Sequence, residues 1–175
     1  MNALKKLSRH ATFKTRLMVA NSAIMSVFTY MIAVWGGTEG YIIRAAQVLQ
    51  NKAARIVAEL GWFSSQRVLL QQTNWLSINQ MIFYHTILQV WRARKDRRPE
   101  YLSEIFSSDY AHKTRVVTAG NLRVPEMKTS LTKKGIRVRG ATMWNSLPTV
   151  LKGYTGKLLG FKKELKAWVR KNIEM

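Results

Sequence analysis

The chain has 175 residues, with 29 Lys and Arg against 9 Asp and Glu, a formal charge of +20 and no cysteine. A hydrophobic fraction of 47%, including six Trp, six Tyr and six Phe, supports a packed core and excludes disorder throughout. The missing cysteines exclude disulfides, zinc fingers, zinc knuckles and thiol nucleophiles, and self-repulsion on this scale points to a polyanionic partner.

Residues 17–35 form an uncharged run of 19, preceded by Lys5, Lys6, Arg9, Lys14 and Arg16, a length and flank that suit a membrane span with its basic end in the cytoplasm. Ser22, Ser26, Thr29 and Ala33 recur at helical spacing, and Asn21 adds a further polar group, so a buried soluble helix is the preferred reading. The run is also too long for a signal-peptide core. A helix is expected from about Phe13 to Trp35, stopped by Gly36-Gly37. A second should run from about Tyr41 to Leu60 and stop at Gly61, with Ile42, Ala46, Leu49, Ala53, Ile56 and Leu60 on its apolar face. The short connection makes the two an antiparallel hairpin.

A short helix over Gln66–Gln72 follows. Ser77 with Gln80 three residues on is a capping box that starts a helix through about Arg94, with Ile78, Met81, Ile82, His85 and Leu88 inward. Pro99 opens a short helical segment to Phe106. Residues 107–137 read as loop with one small β-hairpin, using pieces such as RVV and NLRVP. A short helix near Arg139 to Leu147 ends at Pro148, and the last runs from about Lys157 to Lys171 on a stripe of Leu158, Phe161, Leu165 and Trp168. The fold class is mainly α: an antiparallel helical hairpin or bundle, an irregular basic segment and a C-terminal helix. Charge draws the boundaries. Residues 1–58 hold 8 basic and 1 acidic residue, residues 59–106 hold 6 and 4, and residues 107–175 hold 15 and 4. Domains are accordingly expected at 1–60, a helical hairpin; 61–106, a helical scaffold; and 107–175, a basic C-terminal extension.

Catalytic chemistry is not expected. Asp96 and Asp109 are the only aspartates, and His10, His85 and His112 lack metal-ligand spacing. Glu100 and Glu104 lie one helical turn apart without a third ligand, and Gly36, Gly37 and Gly40 are not followed by Lys-Ser/Thr, so there is no phosphate-binding P-loop. His85, alone on an apolar face, reads as a hydrogen-bonded core residue. No cofactor is implied. The basic strings say more. RARKDRR over 92–98, with Arg92 and Arg94, suits either the negative end of a helix dipole or phosphate contact. TKKGIRVRG over 132–140 sets Lys133, Lys134, Arg137 and Arg139 among apolar residues beside two glycines, which favours phosphate contact. Trp62, Trp75 and Trp144 could stack on bases but read as core.

The strings VFTYMIAVWGG (27–37), VLQNKAARIV (48–57), YLSEIF (101–106), NLRVP (121–125), RGATMWNSLP (139–148) and FKKELKAW (161–168), in that order, resemble the C-terminal part of reverse transcriptases from jockey-like, non-LTR retrotransposons. The resemblance covers nearly the whole chain, and RGATMWNSLP is its most specific part. It implies that 1–60 is a thumb holding template–primer, and that an endonuclease and a polymerase palm lie upstream. The palm's magnesium-holding aspartate pair has no counterpart here, because no aromatic-x-Asp-Asp string occurs. Magnesium would belong to that palm.

The reading is a non-catalytic fragment of an RNA-directed DNA polymerase that binds RNA, DNA or their hybrid through phosphate contacts, with a nuclear or cytoplasmic location implied by the family. Arg44, Lys52 and Arg55 provide the cations of the thumb face, and Lys162, Lys163, Lys166 and Arg170 those of the last helix. The apolar faces of 13–60 that a palm would cover are expected to be exposed and to drive self-association. Two rival readings are a membrane-associated basic protein anchored by 17–35 and a stand-alone structural RNA-binding protein.

Overall fold

A computed structural model describes residues 6, 10–95, 100–106 and 120–173, which are mainly helical with no strand among them. Asp96–Pro99 and the segment 107–119, with the RVV string, Asp109 and His112, lie outside the described residues. The chain packs as two units, one drawn from Met1–Ile32, Thr38–Met81 and Ile173–Met175, the other from Ala33–Gly37 and Ile82–Asn172.

In the first unit the helix expected over 13–35 is broken. Thr12 caps α1 (Phe13–Ala20), accepting from the Thr15 N–H at 3.3 Å. A π-helical turn at Asn21–Met25 leads to the short α2 (Ser26–Thr29), and Tyr30 then turns extended while Met31 takes φ 47. A left-handed methionine costs roughly 1–2 kcal/mol, and no glycine or proline announces it. The short α3 (Ile32–Trp35) that follows belongs, from Ala33 on, to the second unit. The polar stripe also has another use than expected. Ser22 donates to the Met18 carbonyl at 3.1 Å, Ser26 to that of Ser22, and Thr29 to that of Met25 at 3.0 Å. Hydroxyls bonding back one turn compete with the backbone ladder and bend a helix. Among the described residues no helix is long and apolar enough to cross a membrane.

The next helix, α4 (Gly40–Ala58), packs antiparallel to α1. Arg16, buried near the start of α1, donates to the Val57 carbonyl at 3.0 Å and to the Glu59 carboxylate at the far end of α4. Farther along, the Gln50 amide lies 4.0 Å from the Met25 sulfur. The inward face is Gln50, Ala53, Ala54 and Val57, with small residues that let the helices approach closely. This corrects the expected face: of its six residues only Ala53 is buried, while Ile42 and Leu49 are 39% and 46% exposed. The cause is Gln50, a polar residue made acceptable inside by its bond to the Leu76 carbonyl at 2.7 Å. The helix also stops before Gly61, at a left-handed Glu59.

Helix α5 (Gln66–Thr73) ends at a left-handed Asn74, and the Trp75 indole then donates to the Asn21 side chain at 2.8 Å. The capping box forms as read: Gln80 N–H to Ser77 Oγ at 3.2 Å, and Ser77 N–H to Gln80 Oε1 at 3.1 Å. It opens α6 (Ile78–Lys95).

The second unit is built on the later turns of α6, with α7 (Glu100–Ile105), α8 (Ser130–Lys133), α9 (Ile136–Asn145), α10 (Thr149–Lys152) and α11 (Leu158–Asn172). Trp91 stacks on Phe161 at 4.9 Å, and Phe161, Leu165 and Val169 of α11 are fully buried. Residues 121–127 form no strand, and the backbone groups of Leu122 are taken by a side chain. Asn145 accepts from the Leu122 N–H at 2.7 Å and donates to the Leu122 carbonyl at 2.9 Å. Trp144 is buried and donates to the Gly120 carbonyl at 3.0 Å. Gly140 lies where an added Cβ would come within 2.8 Å of the Phe106 ring. The RGATMWNSLP string therefore frames this unit from inside and grips NLRVP.

Candidate nucleic-acid interface

A helix turns about 100° per residue, so the face of α4 opposite Gln50, Ala53, Ala54 and Val57 presents Tyr41, Arg44, Ala45, Val48 and Lys52, all exposed. Neither Arg44 nor Lys52 pairs with an acid among the described residues. Arg55 lies on the same face by this spacing but is half-buried. It donates to the Ser64 carbonyl at 3.4 Å and lays its guanidinium over the Trp62 ring, 5.2 Å from the centroid. The turn closes with Ser64 N–H on the Gly61 carbonyl at 3.1 Å, which leaves Trp62 70% and Phe63 98% exposed. Trp75 and Trp144 are core as expected; Trp62 is not. A tryptophan and a phenylalanine between Gly61 and Ser64-Ser65 belong to no apolar period, and that is the signal in the sequence that places them outside the core. Arg67, exposed in the first turn of α5, adds a cation that charge runs alone do not single out.

The second unit divides its cations into struts and outward charges. Arg94 donates to the Gly120 carbonyl at 3.1 Å and lies over the Trp144 ring at 5.0 Å, and burial pulls its pKa down. Arg139 turns inward and donates to the Ala33 carbonyl, its pKa also lowered by burial. Lys95 and Lys152 hold carbonyls at Thr155 and Asn145. Arg137, by contrast, is exposed, but it lines a cleft of about 570 Å³ with Arg123, Glu104 and Glu126, whose carboxylates oppose a phosphate. Lys133 and Lys134 are exposed around the end of α8. The four cations of TKKGIRVRG thus do not converge on one loop, because IRVRG is helical.

The last helix carries the densest outward charge. Lys162 and Lys166, both half-buried, and the exposed Arg170 follow at i, i+4 and i+8, with Lys163 exposed beside them. Burial and then Arg170 lower the Lys166 pKa. Burial, then Arg92 and then Lys162, hold the His85 imidazole below its usual value. Tyr84 stands edge-on to the His85 ring at 5.2 Å. Among the described residues no three His, Asp or Glu side chains lie close enough to hold a metal ion. Comparison with protein-family models, with curated proteins and with solved structures finds no match to this chain.

Proposed function

We propose that the chain binds RNA, DNA or their hybrid through phosphate contacts, without sequence preference and without catalysis of its own, as the template–primer-holding part of an RNA-directed DNA polymerase of the jockey-like, non-LTR type. The observation that carries the reading is the outward face of α4, where Arg44 and Lys52 stand exposed without an acid partner among the described residues, on a helix whose opposite side is packed. A polymerase must hold every sequence, so the cations that hold its template should meet phosphate rather than base edges. The cations of the last helix support the same chemistry, since Lys162 and Lys166 are like charges one turn apart. The expectation of catalytic silence is supported by the sequence: two-metal phosphoryl transfer needs a fixed cluster of carboxylates, and Asp96 and Asp109 are the only aspartates.

Fluorescence anisotropy with duplex, hybrid and single-stranded probes across a salt series tests the binding. Dissociation constants of roughly 10⁻⁴ to 10⁻⁶ M are expected at physiological salt. Replacing both Arg44 and Lys52 by Ala should flatten the log–log salt slope on duplex by roughly 2, about 0.9 per phosphate contact. Affinity indifferent to ionic strength refutes the reading. In primer extension with magnesium and nucleotides, the purified chain should add nothing.

A further inference from the structure

We propose that Trp62 and Phe63 form a stacking platform for unpaired nucleobases, giving the cationic face of α4 a preference for single strands and single-stranded ends over blunt duplex. The proposal rests on the phosphate-binding reading above and adds to it a base-contacting element. Both rings sit in the Gly61–Ser64 turn, whose backbone is held by its own hydrogen bond and by Arg55, the guanidinium of which reaches the Ser64 carbonyl and the Trp62 ring. Phe63 is 98% exposed and Trp62 70%, so the turn carries two large aromatic surfaces that this unit does not bury.

The surroundings select the occupant. The last turns of α4 and the first turn of α5 bring Lys52, Arg55 and Arg67 to the chain segments flanking the pair, and Glu59, the nearest acid in sequence, is already bound to Arg16. An aromatic pair with Arg55 on the Trp62 ring and further cations in the two flanking helices suits a strand that offers phosphates and flat bases together. Stacking is also tolerant of sequence, because every base has a π-face. A blunt duplex offers its phosphates but keeps its bases stacked inside, so only unpaired residues can use the rings.

The test uses the full chain with Trp62→Ala/Phe63→Ala, Trp62→Phe, and the Arg44→Ala/Lys52→Ala pair. The probes are a labelled 20-nucleotide oligo(dT) and a blunt 20-base-pair duplex, with circular dichroism to verify that each variant is folded. The platform predicts that the aromatic double variant loses on the order of tenfold affinity for oligo(dT). It should keep its duplex affinity and its salt slope, while Trp62→Phe retains most of the binding. The charge variant should weaken both probes and flatten both slopes. Unchanged oligo(dT) binding by the aromatic variant, with normal salt dependence, overturns the platform and leaves the phosphate reading standing. Wild-type chain that binds neither probe overturns both. A wild-type dimer that the aromatic variant converts to monomer, with oligo(dT) affinity intact, assigns the rings to a second copy and overturns the proposal.

Discussion

Replacing Asn145 by Ala removes the two hydrogen bonds through which α9 grips the extended segment at Leu122, at 2.7 and 2.9 Å. Leu122 is almost fully buried, so water cannot replace the lost partner without opening the unit. A buried peptide group left unsatisfied costs about 1–3 kcal/mol, and here both an N–H and a carbonyl are orphaned. The expected loss is roughly 2–4 kcal/mol, against a total stability of about 5–15 kcal/mol for a typical domain. Asn145→Asp should not rescue it. The carboxylate can still accept from the Leu122 N–H, but its second oxygen then faces the Leu122 carbonyl. Urea unfolding followed by near-ultraviolet circular dichroism, which reads the buried Trp144 beside Asn145, measures the change. A loss under about 0.5 kcal/mol with an unchanged slope would falsify the view that RGATMWNSLP is an internal frame. Under conditions where the variant stays folded, its affinity for nucleic acid should match that of the unaltered chain.

Two further outcomes are expected. Arg16→Met keeps the aliphatic packing but abandons the Val57 carbonyl and the Glu59 carboxylate, and thermal melts should show a loss of about 1–3 kcal/mol; most of it belongs to the buried carbonyl, because Glu59 is largely exposed and its ion pair is screened. For His85, whose pKa burial, Arg92 and Lys162 hold below 6.5, the unfolded chain takes up a proton that the folded chain refuses. Stability should therefore fall as pH drops through about 6.5 and level off below the folded pKa. Melts between pH 8 and 5.5 should show that slope diminished in His85→Phe, and an unaltered slope counts against the assignment.

The legible parts of this fold are those where local chemistry and tertiary packing agree. The Ser77–Gln80 capping box, α5, and α11 with Phe161 and Leu165 inward all follow from spacing and caps. The failures are places where a distant group changes what a residue can tolerate. Gln50 is tolerated inside because Leu76 offers a carbonyl 26 residues away, and on the face of α4 buried with it Ile42 and Leu49 have no place. Met31 adopts a left-handed backbone without a glycine to mark it. The interface was half readable for the same reason. Counting cations finds Arg94 and Arg139 as easily as Lys52, but only folding shows the first two directed at protein carbonyls and the last at solvent.

That sorting bears on what the charge is for. On α11 the like-charged steps from Lys162 to Lys166 and from Lys166 to Arg170 each cost about 0.2–0.5 kcal/mol, less in salt. The adjoining side of the same helix, about 100° round, buries Phe161, Leu165 and Val169 completely, worth about 1.5–3 kcal/mol apiece. Packing exceeds repulsion severalfold, so α11 needs no polyanion to form. Arg44 and Lys52 stand in the same relation to Ala53, Ala54 and Val57 on α4. The excess charge is then carried by helices already fixed by apolar contacts, and a phosphate strand meets cations whose backbone positions are set before it arrives. Binding spends little of its free energy on ordering those helices, and what remains can hold a strand of any sequence.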